Sequence, residues 1–198
     1  VGHEVGLQTR FHFWEFAEGG FEVAARREYH LSGYGFLHDF MVTEDYYILV
    51  ENPVTLDVWP FLLGDKCPVD CLTFHGDRKT RVHVIPRPGA REGAVEQVVE
   101  IDSCFIFHHI NSYQVGGARG QLVMDVVQYD RMPDFRTQVP TDCGHLEQCR
   151  WSGQPGNRTW RHLLDLSAGT ASSSPAAAAR VAAAGAGAGG IAAAAGAA

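Results

Sequence analysis

The amino-acid sequence predicts an all-β fold, and three features carry that prediction. Short runs rich in Val, Ile, Phe, Tyr and Trp recur from residue 1 to about residue 130, each bounded by Gly, Pro, Asp or Asn. Only Val58–Leu63, closed by Gly64, has the pattern of a helical turn. No crossover helices separate the runs, so we expect antiparallel strands in a sandwich, a barrel or a propeller.

The first predicted strands form a hairpin. Phe11–Phe16 and Phe21–Tyr29 flank the turn Glu18-Gly19-Gly20, where glycine permits a tight reversal. The next predicted strands repeat the pattern of an apolar run between turn residues: Leu37–Thr43, Tyr46–Val50, Cys71–Phe74, Arg81–Ile85, Val95–Ile101, Cys104–His108 and Gln121–Tyr129. A last apolar run, from Trp160 to Leu166, is a candidate for one more strand.

Composition divides the chain into three segments. Residues 1–135 hold most of the large apolar side chains and are expected to fold into β-structure. Residues 136–166 form a polar extension with the candidate last strand. Residues 167–198 are an Ala- and Gly-rich low-complexity tail, which we expect to be disordered because it offers few large side chains for burial.

Charge and hydropathy exclude two classes of interaction. The formal net charge is -7 and the 16 Lys and Arg residues are scattered, so nucleic acid is not an expected partner. No window approaches the roughly 18 consecutive apolar residues of a membrane-spanning helix, so no transmembrane segment is expected. Peripheral membrane contact stays open.

The cysteines bear on the compartment. There are five, an odd number without the tight spacing of a small disulfide-rich scaffold, which predicts free thiols in a reducing, intracellular compartment. The chain starts at Val1 with neither an initiator Met nor a charged-then-apolar leader. A targeting segment is therefore expected to be absent or to lie outside this piece.

The sequence holds ten histidines, and two of their sequence contexts suit a metal ligand. The first is that of His38. It enters a predicted strand of mostly apolar residues, and alternation puts it on one face with Phe40 and Val42, and Asp39 on the other. A neutral imidazole on a buried face needs a partner. That partner is either an ordinary hydrogen bond in the core or a metal ion.

The second context is the pair His108-His109, at the end of another predicted strand. In an extended strand His108 shares a face with Ile106, whereas His109 shares the opposite face with Phe107. The two imidazoles must then diverge. Only one of them can point towards a given metal site.

A separate candidate is a small zinc site in the polar extension. Cys143, His145, Cys149 and His162 are residue types that bind zinc. Their spacing lacks the usual short cysteine knuckle, so this site is the weaker alternative.

The segments around His38 and His108 together resemble the carotenoid cleavage oxygenase family, over about residues 10–136. His38-Asp39-Phe40, followed by a run from Val42 to Pro53, is similar to the family's second iron-ligand segment. Phe107–Asn111, with a His three residues before an Asn, is similar to the third. Three further segments resemble those that follow in the family: Arg81–Pro88, Gln121–Val127 and Arg131–Phe135.

The resemblance implies part of a seven-bladed β-propeller, with a non-haem Fe(II) ion on its axis bound by four histidines from different blades. Carried over residue by residue, His38 matches the second ligand and His108 the third, while His109 has no counterpart. The implied reaction uses O2 to cleave a conjugated double bond of a carotenoid or apocarotenoid to carbonyl products. The compartment stays open: relatives of this kind often work in a plastid, and the cytoplasm is equally compatible with the sequence.

Three aromatic residues are candidates for lining or supporting the substrate region that the resemblance implies. They are Phe40, Phe105 and Phe107, and each would serve equally as plain core.

The sequence departs from the family pattern in ways that limit the function. Gln114 stands where the family has an acidic residue, so the contact of that carboxylate is expected to be weakened or replaced. The first and fourth ligand segments, a His-Pro and a His-Gly-Phe motif, are not in this sequence. We therefore expect about two to three blades and no activity from this piece alone. The alternative is a catalytically inert β-domain or truncated gene product that binds no iron.

Overall fold

The computed structural model describes residues 2–5, 8–134 and 156–176. Its regular structure is almost entirely β-strand, which confirms the predicted all-β class. The strands are β1 (Gly2–Val5), β2 (Thr9–Phe16), β3 (Val23–Leu31), β4 (Met41–Val42), β5 (Tyr46–Glu51), β6 (Val54–Leu56), β7 (Leu72–Phe74), β8 (Thr80–Pro86), β9 (Gln97–Ile101), β10 (Phe105–Val115), β11 (Gln121–Tyr129), β12 (Asn157–Asp165) and β13 (Thr170–Pro175). A short helix, α1, spans Trp59–Leu62, and a 3-10 turn spans Pro68–Cys71.

The strands form three antiparallel sheets that follow one another along the chain. The strand orders are β1-β2-β3, β4-β5-β8-β9 and β10-β11-β12-β13. Strands β6 and β7 pair separately as a two-stranded ribbon. Consecutive small antiparallel sheets with apolar faces packed together are the arrangement of successive propeller blades.

The predicted first hairpin is confirmed. Strand β2 pairs with β3 from Thr9 opposite Leu31 to Phe16 opposite Val23. Gly19 in the connecting turn has a φ of 74°, a left-handed conformation that glycine adopts without strain. Along β2, Thr9, Phe11 and Phe13 are buried and the residues between them are more exposed, as expected for a strand with one covered face.

The first and second sheets share an apolar core. It consists of Phe11, Phe13, Leu31, Tyr47, Leu49 and Ile85. The rings of Phe13 and Tyr47 stack with centroids 4.2 Å apart. At its edge, the Glu15 carboxylate accepts hydrogen bonds from Arg87 Nε, at 2.7 Å, and from the Tyr47 hydroxyl. Apolar burial and a charge-assisted contact therefore hold these two sheets together.

The second and third sheets share a larger core. Its buried residues are Met41, Tyr46, Ile48, Val50, Val82, Val84, Val99, Ile101, Cys104, Ile106, Leu122, Met124, Val126, Leu164 and Leu166. Because this core draws on strands β4, β5, β8, β9, β10, β11 and β12, it fixes the position of β10, and hence of His108, relative to the second sheet.

A buried carboxylate, Asp45, also joins these two sheets. Its side chain accepts hydrogen bonds from Arg91 Nε and Nη2, at 2.9 and 2.6 Å to Oδ2. Gln114 on β10 donates to Asp45 Oδ2 at 2.9 Å and accepts from the Asp45 backbone N–H at 3.0 Å. An amide at residue 114 can make both contacts, whereas a second carboxylate would face Asp45 Oδ2 with like charge.

Acid should weaken this contact. The Arg91 hydrogen bonds, opposed by burial, lower the pKa of Asp45 to about 2. An unfolded Asp has a pKa of about 3.9. The stability that ionised Asp45 contributes to the fold is therefore fully present above about pH 4, and it is lost as the pH falls towards 2. We expect Asp45→Asn to cost about 1–3 kcal/mol at neutral pH and to flatten the loss of stability in acid. Urea unfolding across this pH range tests this, and an unchanged acid dependence in the variant would contradict it.

The segment around His38 differs from its prediction. The predicted strand Leu37–Thr43 is reduced to the two residues of β4, and residues 32–40 form a loop without regular strand pairing. His38 therefore lies in this loop, and strand alternation does not decide where it points. The local apolar pattern suggested a strand, but the loop is instead held by contacts to residues far away in the chain.

The C-terminal part of the described chain also differs. Strand β12 matches the candidate last strand, but β13 lies within the segment expected to be a disordered tail. It pairs with β12 from Thr170 opposite Asp165 to Pro175 opposite Trp160, after a turn in which Gly169 has a φ of 67°. Pairing with an existing strand supplies the order that this small-residue sequence lacks by itself. Residues 135–155 and 177–198 lie outside the described residues, and the three-segment division stays a prediction.

Candidate metal site and apolar cavity

The two histidines predicted as metal ligands lie next to each other. Their ring centroids are 5.2 Å apart and the ring planes meet at 83°. Phe107 contacts both: it stacks on His38 with centroids 4.0 Å apart, and its ring lies at 83° to that of His108 at 4.8 Å. Residues 70 positions apart in the sequence are thus brought together around one aromatic ring.

A β-bulge places His108 in this position. The pairing of β10 with β11 shifts register between Ile106 and His108, so Phe107 is the extra residue. Ile106 is buried in the core between the second and third sheets, whereas His108 is exposed and lies beside Phe107. The prediction that His108 shares a face with Ile106 is therefore wrong, because the bulge interrupts the alternation on which it depended.

His109 occupies a different environment from His108. Its Nδ1 is buried and has no hydrogen-bond partner among the described residues. Burial lowers the pKa of His109, against the opposing effect of Asp39, so the ring is neutral near pH 7. The described ring contacts of His38 are with Phe107 and His108.

Asn52 holds the strand that carries His108. It accepts a hydrogen bond from the Ile106 backbone N–H at 2.7 Å and donates to the Ile106 carbonyl at 2.8 Å. Its side-chain nitrogen also lies 3.4 Å from the carbonyl oxygen of Phe36, in the loop that carries His38. Asn52 is 3% exposed, and its two bonds to Ile106 are shielded from water.

An apolar cavity of about 310 Å³ opens beside the histidine pair. It is lined by Tyr34, Phe36, Leu56, Pro68, Val69, Leu72 and Phe107. Because Phe107 also contacts both histidines, the cavity wall and the candidate metal site share a residue. An apolar ligand in this cavity would lie close to whatever the two imidazoles bind.

The three aromatic residues that were candidates for lining the substrate region lie in different environments. Phe107 lines the cavity, Phe105 is fully buried against it in an aromatic cluster, and Phe40 packs on the core between the first and second sheets. The remaining lining residues had no signal in the sequence, because they come from a loop, β6, the 3-10 turn and β7. Only the position of Phe36, two residues before His38, could have suggested one of them.

Of the four residues of the zinc alternative, the structure describes only His162. Cys143, His145 and Cys149 lie outside the described residues. His162 is 1% exposed, and its two ring nitrogens lie 2.7 Å from Ser173 Oγ and 3.0 Å from Gln128 Oε1. Burial lowers the pKa of His162 to about 4, so it is a neutral, hydrogen-bonded core histidine in this structure.

The histidine pair fits a divalent transition metal. Two imidazoles bound to one ion at about 2.1 Å, roughly at a right or tetrahedral angle, would have ring centres about 5 Å apart, which agrees with the separation of His38 and His108. Imidazole nitrogen is also a donor that suits ferrous iron. In residues 2–5, 8–134 and 156–176, no group of three or more His, Cys, Asp or Glu side chains is placed to bind one ion. The described part of the chain thus brings two candidate ligands together.

Successive small antiparallel β-sheets packed face to face define the class of this protein, that of the β-propellers. A family model described as retinal pigment epithelial membrane protein (RPE65) matches residues 1–186. The chain belongs to this family, in which its matched relatives are carotenoid oxygenases.

Two relatives and one solved structure illustrate the match. The apocarotenoid-15,15'-oxygenase of Synechocystis sp. is 30% identical over 138 residues, which are 70% of this chain and 26% of that protein. The human beta,beta-carotene 15,15'-dioxygenase is 32% identical over 98 residues, which are 48% of this chain and 17% of that protein. The solved structure of cobalt-substituted Synechocystis apocarotenoid oxygenase has a TM-score of 0.71 at 25% identity, covering 87% of this chain and 33% of its own.

These matches define the fold and the extent of the chain. The carotenoid oxygenases to which it is structurally similar are seven-bladed β-propellers, and this chain is part of such a propeller. It covers 26% of the length of the Synechocystis relative in sequence and 33% of the solved chain in structure.

Proposed function

We propose that this chain is part of an Fe(II)-dependent dioxygenase that uses O2 to cleave a conjugated double bond of a carotenoid or apocarotenoid to carbonyl products. The observation that carries the proposal is the contact of His38 and His108, 5.2 Å apart, with a phenylalanine that also lines an apolar cavity. The relatives include an apocarotenoid oxygenase and a beta,beta-carotene dioxygenase, which supports the substrate class.

The roles of the residues follow from their chemistry. His38 and His108 would hold Fe(II) through neutral imidazoles, and ferrous iron would supply the O2 chemistry that side chains lack. Phe107 orients the His38 ring by stacking and presents an apolar surface to the substrate. Phe36 and Leu56, on other parts of the cavity wall, would exclude water and align a polyene alongside the histidine pair.

The site in this chain is incomplete on its own. The family resemblance implies four histidine ligands, and the chain offers two at this place. We therefore expect no turnover by this chain alone, with the remaining ligands and blades supplied by a longer protein. The alternative, an inert β-domain that binds no iron, predicts that the two histidines do not bind a metal together.

A metal titration distinguishes these alternatives. Co2+ added to the 198-residue chain is expected to broaden the imidazole NMR signals of His38 and His108 together, because one paramagnetic ion would contact both rings. The other histidines of the described residues serve as internal controls. Broadening of the His38 and His108 signals at different Co2+ concentrations would contradict a shared site and favour the inert domain. The absence of broadening at both histidines would do the same.

We infer that the region beside the cavity also makes peripheral membrane contact. Helix α1 and its flanks expose a cluster of apolar side chains: Val58, Trp59, Phe61, Leu62 and Leu63. The segment follows the cavity-lining Leu56 and precedes Pro68 and Leu72, so it lies in the chain between elements of the cavity wall. No helix in the described ranges is long and apolar enough to cross a bilayer. A short exposed apolar helix near a cavity for a hydrocarbon ligand suits shallow insertion into lipid.

Replacing Trp59 and Leu63 by serine should weaken binding to phosphatidylcholine vesicles at least about tenfold, since each side chain contributes about 1.5–3 kcal/mol when it leaves water. Co-sedimentation with vesicles measures this. The matched control is Phe21→Ser with Ile110→Ser, two other exposed apolar residues, which should bind like the wild type. Equal losses in both double variants would mean that lipid binding has no preference for α1.

A further inference from the structure

The carboxylate of Asp39 bridges the two segments that carry the histidine pair. Asp39 Oδ1 accepts a hydrogen bond from the Phe40 backbone N–H at 2.8 Å. Asp39 Oδ2 accepts one from the backbone N–H of His109 at 3.0 Å. One side chain thus binds backbone groups that are 69 residues apart in the sequence.

Each end of this bridge is next to a proposed ligand. Asp39 directly follows His38, and the N–H of His109 belongs to the peptide group that begins at the carbonyl carbon of His108. Because peptide groups are planar, holding this N–H also restricts the Cα of His108. The Asp39 bridge therefore links the backbone of one proposed ligand to the backbone of the other.

The same geometry argues that Asp39 does not itself bind the metal. Each carboxylate oxygen already accepts a backbone N–H, and a charged acceptor makes such bonds strong. Among the described residues, no three His, Cys, Asp or Glu side chains are placed to bind one ion, so Asp39 does not join His38 and His108 as a third ligand.

The loop that carries His38 depends on contacts of this kind. Residues 32–40 have no strand pairing to fix them, so side-chain hydrogen bonds and ring stacking decide where His38 lies. Stacking on Phe107 orients the ring of His38 but permits it to slide in its plane. The bond that Asp39 accepts from the His109 N–H opposes movement of the loop away from β10, and the bond from the Phe40 N–H fixes the carboxylate within the loop.

We propose that Asp39 is a positioning residue that sets the separation of the His38 and His108 imidazoles, and thereby tunes the affinity of the pair for a divalent metal. The inference rests on the proposed function, since that function requires the metal. It adds a residue that binds no metal itself and acts through the backbone of both ligands.

The test uses the full 198-residue chain with Asp39→Ala and Asp39→Asn. In the metal-free chain, nuclear Overhauser contacts among the rings of His38, Phe107 and His108 should weaken strongly in Asp39→Ala. Co2+ affinity, measured by the broadening of the two imidazole signals, should fall about 10–100-fold, as is typical when a residue supporting a ligand is removed. Asp39→Asn keeps one acceptor oxygen and should lie between Asp39→Ala and the wild type.

A control separates positioning from general loss of stability. Glu15→Gln weakens the contacts of Arg87 and Tyr47 between the first and second sheets, and should lower stability without changing the ring contacts or Co2+ affinity. Normal ring contacts and wild-type Co2+ affinity in Asp39→Ala would overturn the proposal, as would equal loss of affinity in Glu15→Gln.

The proposed function can fail separately. If Co2+ does not broaden His38 and His108 together in the wild type, the shared metal site is wrong. The ring contacts of the metal-free chain still decide whether Asp39 sets the separation of the two imidazoles: their loss in Asp39→Ala supports this part, and their persistence overturns it.

Discussion

Replacing His108 by alanine is expected to reduce the Co2+ affinity of the chain by at least about 100-fold, more than the loss typical of a residue that only supports a ligand. His38→Ala should have the same effect, because each substitution removes one of two imidazoles from the same ion. His109→Ala should stay within about threefold of the wild type, since the described ring contacts of His38 and His108 are with Phe107 and with each other. Isothermal titration with Co2+, at a pH where the imidazoles are neutral, measures all three variants.

The neighbouring histidine provides the matched control for this prediction. His109→Ala removes a ring whose buried Nδ1 has no hydrogen-bond partner among the described residues, so the stability change should be within about 1 kcal/mol. A loss of Co2+ binding in His109→Ala, beside normal binding in His108→Ala, would reverse the assignment of the ligand. Normal binding in all three variants would place the metal elsewhere.

Asn52→Asp is expected to destabilise the fold by about 3–5 kcal/mol at pH 7, although the side chain hardly changes in size. The Asn52 amide now donates to the Ile106 carbonyl and accepts from the Ile106 N–H, both in a site that is 3% exposed. A carboxylate has no donor, so one of its oxygens would face the carbonyl oxygen at hydrogen-bond distance. Asn52→Ala should cost about 2–4 kcal/mol by leaving both backbone groups without partners.

The pH dependence makes this prediction specific. The introduced carboxyl can donate when protonated, so folding raises its pKa above the unfolded value of about 3.9. Compared with the wild type at the same pH, Asn52→Asp should lose little unfolding free energy below the unfolded pKa. The loss should grow as the pH rises through the pKa of the folded state. Urea unfolding at several pH values measures the difference. If the loss of unfolding free energy in Asn52→Asp were independent of pH and equal to that in Asn52→Ala, the amide donor would be unimportant.

The sequence by itself determined the fold class, because the relevant signals are local. Apolar runs of strand length, separated by turn residues, predicted the β2–β3 hairpin, and the left-handed conformation of Gly19 is the reason that turn works. The motifs around His38 and His108 were also readable, since they depend on residue order. Their assignment as ligands stays a prediction that the proximity of the two rings supports.

Only the tertiary structure decided how the two histidines meet. Alternation along a strand would have put His108 with the core residue Ile106, but pairing with β11 introduces a bulge at Phe107. The bonds from Asp39 to His109 and from Asn52 to Ile106 join residues 70 and 54 positions apart. A short sequence window carries no information about such partners, because the free energy that favours them comes from burial and hydrogen bonding that exist only once the sheets have packed.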